Sequence, residues 1–181
     1  MMIIIQSLMK LLQTLNSQTS PNQLAAGVAF GMIVGLSPFL VLHNLLVFLM
    51  VCLFRVNLSM FFWSILVFSV LGFVLDPLFD SIGYWVLVDW SFARPLWIWV
   101  SSAPILPFFR LNNTIVMGSL AFSLFLFGPV FFLATYAVKK YRTHWRALIL
   151  NSRYFGILKT TKLYSFYLKY EAAKEKWSQF I

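Results

Sequence analysis

Polar and proline-containing breaks divide the chain into four long apolar segments, at residues 22–37, 39–54, 58–75 and 114–138. Apolar runs of this length predict α-helices. The third segment would be about 27 Å long as a helix, close to the roughly 30 Å hydrocarbon core of a bilayer. The first two are shorter than the ~20 residues of a full span, so they form either two thin crossings or a re-entrant hairpin.

Local signals set the ends of these helices. Ser20, Pro21 and Gln23 have the pattern of a helix start, with serine as N-cap and proline at the first helical position. Because the residue before a proline disfavours helical backbone, we expect the first helix to end near Pro38 and the third at Asp76-Pro77. Further expected features are an N-cap at Asn57 or Ser59, an N-cap at Asn112 or Asn113, and a kink at Gly128-Pro129.

Three flanking segments have mixed polarity. In residues 1–19, apolar positions recur at helical spacing, which predicts a helix lying in the membrane interface. Residues 78–110 combine scattered charge with Trp85, Trp90, Trp97 and Trp99, a composition typical of the membrane–water boundary. Residues 139–181 form a basic, tyrosine-containing tail.

Composition supports a membrane protein. The chain is 61% hydrophobic and 10% charged, whereas soluble domains are about 45–50% apolar and ~25% charged. So few charges cannot cover a water-facing surface. We therefore predict an all-α polytopic membrane bundle of about four crossings, with a glycine-rich first hairpin and interfacial amphipathic helices. The N-terminus lacks the basic region and cleavage site of a signal peptide.

The charge distribution predicts an orientation. Ten of the fourteen basic residues lie from Lys139 to Lys176, directly after an apolar segment. Cytoplasmic loops carry such an excess, so this pattern favours a cytoplasmic tail over nucleic-acid binding. Four crossings then place both termini in the cytoplasm, an expectation that Arg94 and Arg110 oppose mildly. The basic residues expected at the membrane surface are Lys139, Lys140, Arg142 and Arg146.

Two features of the first hairpin are candidate functional positions. Gly27, Gly31 and Gly35 free one helix face for close approach of another backbone. That face serves either internal packing or a groove for a lipid tail or partner helix. His43 and Asn44 are strongly polar within a predicted span. They either hydrogen-bond neighbouring backbone or contact a polar substrate or proton.

Other chemistry is sparse. Asp76 and Asp80 share one helical face and either cap a helix or bind a cation or headgroup amine. Two carboxylates are too few for a metal site, and we expect no metal or cofactor. The single cysteine, Cys52, excludes an intramolecular disulfide. No nucleophile elbow, P-loop, HExxH or CxxC motif is present, so we expect no enzymatic activity.

Several segments resemble a bacterial family. The matching residues are the run from Ser20 to Gly31 with Gly35 and Pro38, then Arg55-Val56-Asn57, Asp76-Pro77-Leu78-Phe79-Asp80, Gly83, and Asn112-Asn113-Thr114-Ile115-Val116-Met117-Gly118-Ser119. The segments up to Asn57 resemble the domain-of-unknown-function family numbered two thousand and sixty-two. Those from Asp76 to Gly83 and from Asn112 to Ser119 resemble a narrower subgroup of it. The resemblance implies a bacterial inner-membrane protein, and its narrower subgroup implies a larger envelope protein encoded nearby. Asp76 departs from the asparagine common in the wider family.

The sequence thus favours a non-enzymatic accessory or docking subunit of the bacterial cell envelope. Its expected partners are membrane lipid and, from the resemblance, a larger envelope protein, without nucleic acid. Supporting lipid handling by that protein is an extension by analogy. The alternative is a small transporter or flippase for an amphipathic substrate, with His43, Asn44 and Asp76 as contacts.

Overall fold

The computed structural model describes residues 19–102 and 109–145, together with Leu11, Thr14 and Leu15. All regular elements of this part are helical. They are α1 (Pro21–Leu36), α2 (Leu42–Leu53), α3 (Leu58–Tyr84), α4 (Arg94–Ser102) and α5 (Thr114–Lys140). A π-helical turn, Trp85–Asp89, extends α3, and a 3-10 turn, Ser91–Ala93, precedes α4.

In the described part of the chain, two helices are long and apolar enough to cross a membrane, Leu58–Asp89 and Thr114–Thr143. The other two apolar helices are short. At 1.5 Å per residue, α1 with 16 residues is about 24 Å long and α2 with 12 is about 18 Å. Neither of these short helices matches the thickness of a hydrocarbon core, about 30 Å.

Side chains within the helix starts hold three of the boundaries. Ser20 and Gln23 form a reciprocal capping box at α1, which confirms the prediction. Asn57 Oδ1 accepts the N–H of Met60 at the start of α3 (2.9 Å). Asn113 Oδ1 accepts the N–H of Val116 at the start of α5 (3.1 Å). These contacts are those of N-caps, as expected from the sequence.

The expected end of the third helix at Asp76-Pro77 is wrong. α3 continues through Pro77 to Tyr84, so the first part of the Trp-rich segment belongs to a long helix. Proline removes one helical hydrogen bond at this point. The carbonyl left without this bond is that of Phe73, and membrane helices tolerate such a proline. In the next turn, the Ser81 hydroxyl donates to the Pro77 carbonyl (3.0 Å).

The contacts fix the helix directions. The N–H of Asn57 donates to the Gln23 carbonyl (3.2 Å), so α1 and α3 start side by side and run parallel. α2, which connects α1 to α3, therefore runs antiparallel to both. Val138 packs on Leu24 and Met60, so the end of α5 returns to the same level. α5 thus lies antiparallel to α3.

Among helices α1, α2, α3 and α5, α1 has the largest share of buried residues. Its buried side chains contribute to three clusters: Leu24 with Met60 and Val138, Met32 and Leu36 with Phe79, and Val34 with Val51 and Phe61. Helices α2, α3 and α5 each contribute to one or more of these clusters. A short helix rich in small residues is therefore packed against the three other apolar helices.

Residues 1–139 and 140–181 form two separate units. In the second, Lys140 is followed by a π-helical turn, Tyr141–Trp145, in which the Thr143 hydroxyl donates to the Lys140 carbonyl (3.2 Å). The remainder of the basic tail and most of the predicted N-terminal interfacial helix lie outside the described residues. Directly after α3, in the first unit, the Trp97 indole donates to the Val86 carbonyl (3.1 Å), and Trp85 stacks on Trp90.

Candidate functional site

The glycine face of α1 lies directly against α3. A Cβ atom added to Gly27, Gly31 or Gly35 would lie only 2.5–2.8 Å from a carbonyl oxygen of α3 or its N-cap. Ser64 of α3 donates its hydroxyl to the Val28 carbonyl across the same interface (2.7 Å). Since α3 itself fills this face, the glycines serve internal packing rather than an open groove.

A second close contact joins α3 and α5, and we call it the α3–α5 crossing: Phe79, Asp80, Gly83, Thr114 and Gly118. A Cβ added to Gly83 would overlap the Thr114 carbonyl, and one added to Gly118 would overlap the Phe79 carbonyl. The Thr114 hydroxyl donates to the Asp80 carboxylate. The crossing therefore combines mutual glycine packing with a satisfied polar pair.

Residues 37–41, which we call the elbow, connect α1 to α2 without helical structure. The side-chain amide of Asn44 donates to the carbonyls of Pro38 (3.0 Å) and Phe39 (3.3 Å). The second residue and the third residue of α2 lean toward its start, because side chains tilt toward the helix N-terminus. Asn44 thereby holds the elbow over the first turn of α2.

Several polar atoms around the elbow are buried without a partner among the described residues. They are both ring nitrogens of His43, the side-chain oxygen of Asn44 and the hydroxyl of Ser37. His43 is 6% exposed, and Asn44 and Ser37 are each 7% exposed. A buried polar group left unpaired costs about 1–3 kcal/mol, so each of these atoms lowers the stability of this region unless a partner satisfies it. A buried polar atom without a partner calls for an explanation, such as strain, a function, or a bound water or ion.

The elbow begins beside the middle of α3, one of the two longest helices in the described residues. Gly72 approaches Gly35 and Leu36, the last residues of α1. Gly72 is fourteen residues beyond Leu58 and twelve before Tyr84, so it lies near the midpoint of α3. The elbow therefore begins about 20 Å from either end of α3.

The tip of the elbow is apolar and uncovered. Phe39 is 73% exposed and Leu40 is 82% exposed. The outward face of α2 continues this surface, with exposed large side chains at Leu45, Leu46, Phe48, Leu49, Met50 and Leu53. Buried, unpaired polar atoms and exposed apolar side chains thus occur together within residues 37–44 of the described structure.

The comparison with known families covers all five helices. The family DUF2062, described as an uncharacterized protein conserved in bacteria, matches residues 7–146. The chain belongs to this family. Its match includes the glycine face, the elbow and the α3–α5 crossing, so these features lie within the part that the chain shares with the family.

An uncharacterized protein of Treponema pallidum (strain Nichols) is similar to this member of the family. The two are 27% identical over 159 residues, which are 88% of this chain and 98% of that protein. No solved structure matches the chain. The similarity therefore extends over nearly the whole relative, without adding a function.

The two predicted carboxylates have different environments. Asp80 is exposed and accepts the Thr114 hydroxyl, whereas Asp76 is half-buried one turn earlier. Within residues 19–102 and 109–145, no group of three or more histidine, cysteine or acidic side chains could hold a metal. Of the basic residues expected at the membrane surface, Lys139 is exposed, Lys140 and Arg142 are in the second unit, and Arg146 lies outside the described residues.

The sequence signalled part of this site. His43 and Asn44 were selected because polar residues in apolar spans are costly, and the structure buries both. Ser37 was missed, since a serine before a proline at a helix end is ordinary. Gly83 and Gly118 were seen only as parts of a family motif. Their mutual contact is not readable from spacing, because 35 positions separate them.

Proposed function

We propose that this protein is a non-enzymatic accessory subunit of the bacterial cell envelope that docks a larger envelope protein. It is embedded in the cytoplasmic membrane as a multi-pass protein, has both termini in the cytoplasm, and supports the lipid handling of its partner. The observation that carries this proposal is the exposed, non-helical elbow beside the midpoint of α3.

The charges support the membrane orientation. The start of α1, the turn containing Arg55 and the end of α5 with Lys139 lie at one end of the first unit, while Asp80 lies at the opposite end. Basic residues mark the cytoplasmic side of membrane proteins. The end at which α1 starts therefore faces the cytoplasm in this proposal.

The depth of the elbow supports docking. If α3 and α5 cross the bilayer, the elbow lies within the hydrocarbon layer, and α1 with α2 forms a re-entrant hairpin from the cytoplasmic side. Irregular backbone at that depth does not face lipid, because its polar groups would be unsatisfied. It is covered by protein or lines a watery cavity. Since Phe39 and Leu40 are apolar and exposed, a membrane segment of a partner protein is the cover that fits.

Site-specific photocrosslinking in native membranes tests this proposal. A photoreactive amino acid at Leu40 should give an adduct with one envelope protein, identified by mass spectrometry. The matched control is Phe132, which is 72% exposed on the continuous helix α5 and should give lipid adducts alone. A pull-down of tagged protein in mild detergent should recover the same partner. Lipid adducts alone at both positions, with no co-purifying protein, would contradict the docking role.

A second candidate is a transporter or flippase for an amphipathic substrate, favoured by the unpaired polar atoms of His43 and Asn44. Transporters hold substrate near the bilayer midplane at broken helices, and the elbow interrupts the α1–α2 pair at such a depth. Lipid scrambling by the purified protein in liposomes separates the two candidates. Scrambling without any partner, abolished by His43→Leu, would favour transport over docking.

A further inference from the structure

We propose that the start of α2, together with His43 and Ser37, binds the phosphate group of a membrane phospholipid. This inference rests on the membrane placement proposed above and names the lipid chemistry that the subunit handles. The site lies beneath the elbow. Its observed groups are the first backbone N–H groups of α2, the imidazole of His43 and the hydroxyl of Ser37.

The start of α2 is suited to an anion. Its N-cap is Val41, which supplies no side-chain hydrogen bond. The N–H groups of Leu42 and His43 have no carbonyl one turn earlier to bond, as in any helix start. They carry the partial positive charge of the helix N-terminus. The N-termini of α1, α3 and α5 are instead capped by Ser20, Asn57 and Asn113.

An independent observation points to a ligand at the same place. Neither ring nitrogen of His43 has a hydrogen-bond partner in the described part of the chain, although the side chain is 94% buried. His43 is the second residue of α2, so its side chain tilts toward the uncapped N-terminus. A neutral imidazole and a hydroxyl can each donate a hydrogen bond. Phosphate oxygens would satisfy these donors and the two backbone N–H groups together.

The location favours a lipid as the source of the phosphate. The elbow lies beside the midpoint of α3, where a free hydrated anion would have to cross apolar surface. A phospholipid brings its phosphate on an apolar body that can lie along the exposed face of α2 at Leu45 and Leu49, which leaves Phe39 and Leu40 to the partner proposed above. The unpaired Asn44 oxygen is an acceptor and suits a headgroup hydroxyl or ammonium.

Access requires movement of the elbow. The unpaired atoms are buried, and the elbow is fastened by the two hydrogen bonds from the Asn44 amide to Pro38 and Phe39. Release of these two bonds would uncover the first turn of α2. Asn44 therefore keeps the site closed, a role we call the latch. His43 is the side chain that would contact the bound phosphate.

Thermal unfolding of the full chain in nonionic detergent tests the proposal, with phosphatidylglycerol as the probe. We expect phosphatidylglycerol to raise Tm in a saturable manner, and diacylglycerol, which lacks the phosphate, to have no such effect. Inorganic phosphate alone should act only at far higher concentration. Equal stabilisation by diacylglycerol would overturn the phosphate site. Equal stabilisation by inorganic phosphate at the same concentration would overturn the lipid source.

Two substitutions locate the binding. His43→Leu should weaken the apparent affinity by about tenfold, while His43→Gln, which keeps a donor, should retain most of it. Leu42→Pro removes one backbone N–H at the first helical position, where proline is tolerated, and Val41 is already extended (φ −130°, ψ 146°). It should weaken binding by about fivefold.

Thr135→Val is the matched control, since the Thr135 hydroxyl is also buried with no partner among the described residues but lies on α5. It should leave the lipid response unchanged. Unchanged lipid binding in both His43→Leu and Leu42→Pro would overturn the site. If one of these two variants fails to fold, unchanged binding in the other is enough to overturn it. A partner recovered by pull-down with no lipid response would refute this inference and leave the docking role intact.

Discussion

The α3–α5 crossing and the elbow differ in whether their polar side chains have hydrogen-bond partners. At the crossing, the Thr114 hydroxyl and the Asp80 carboxylate pair with each other. At the elbow, His43 and Ser37 are buried without partners among the described residues. Both regions lie within the first unit and are flanked by apolar helices, so hydrophobicity does not distinguish them.

The difference separates structure from function. A satisfied polar pair beside two interlocked glycines holds helices together and needs nothing further. An unpaired cluster beside an uncapped helix start costs stability unless a ligand or a partner supplies the missing bonds. Substitutions of similar chemistry should therefore have opposite effects in the two regions.

The largest effect is expected from Gly118→Ala at the crossing. The added methyl group would overlap the Phe79 carbonyl, which is backbone and cannot rotate away. We expect a loss of about 3 kcal/mol or more in the free energy of unfolding, measured by denaturant titration in micelles. Gly128→Ala is the control on the same helix, because nothing lies within 4 Å of its added Cβ. Equal effects at the two positions would refute the interlocked crossing.

Much of the local structure was predictable from the sequence. Capping by Ser20 and Gln23 depends on residues three positions apart, so the motif itself specifies the contact. The length of α3 was not predictable in the same way. Pro77 predicts a helix end by local rules, yet Ser81 and the α3–α5 crossing support the helix beyond it.

The site shows the same division. Polarity within an apolar run was enough to select His43 and Asn44. Their opposite roles could not be predicted from the sequence. The Asn44 amide donates to two elbow carbonyls, whereas His43 has no hydrogen-bond partner in the described structure. The depth of the elbow depends on the contact of Gly72 with Leu36, which joins positions 36 apart.

At the elbow, His43→Leu should raise stability in lipid-free micelles. Leucine fills similar space and removes two buried, unpaired nitrogens. We expect a gain of about 1–2 kcal/mol in the free energy of unfolding, at the cost of the lipid response. Ser119→Ala is the control, because that buried hydroxyl already bonds the Val116 carbonyl (3.1 Å) and should show no gain. A loss of stability in His43→Leu would mean that the imidazole has a structural partner.

The neighbouring substitution, Asn44→Leu, should have the opposite sign. It removes both hydrogen bonds to the elbow carbonyls and leaves those carbonyls unpaired. We expect a loss of about 1 kcal/mol and faster proteolysis at residues 38–40. Hydrogen exchange of the elbow amides checks the local opening. Unchanged exchange would exclude the latch role, whatever happens to global stability.

The smallest effect is expected from Thr114→Val at the crossing. Valine keeps the shape of threonine but cannot donate a hydrogen bond to Asp80, so one solvent-exposed hydrogen bond is lost. Interhelical bonds of this kind contribute about 0.6 kcal/mol in membranes, and we expect a loss of that size in the same unfolding assay. Asp80→Asn keeps an acceptor for the hydroxyl and should lose less. Combining the two substitutions should cost no more than Thr114→Val alone, because both act on one bond; additive losses would show that Asp80 has a second role at this end of α3.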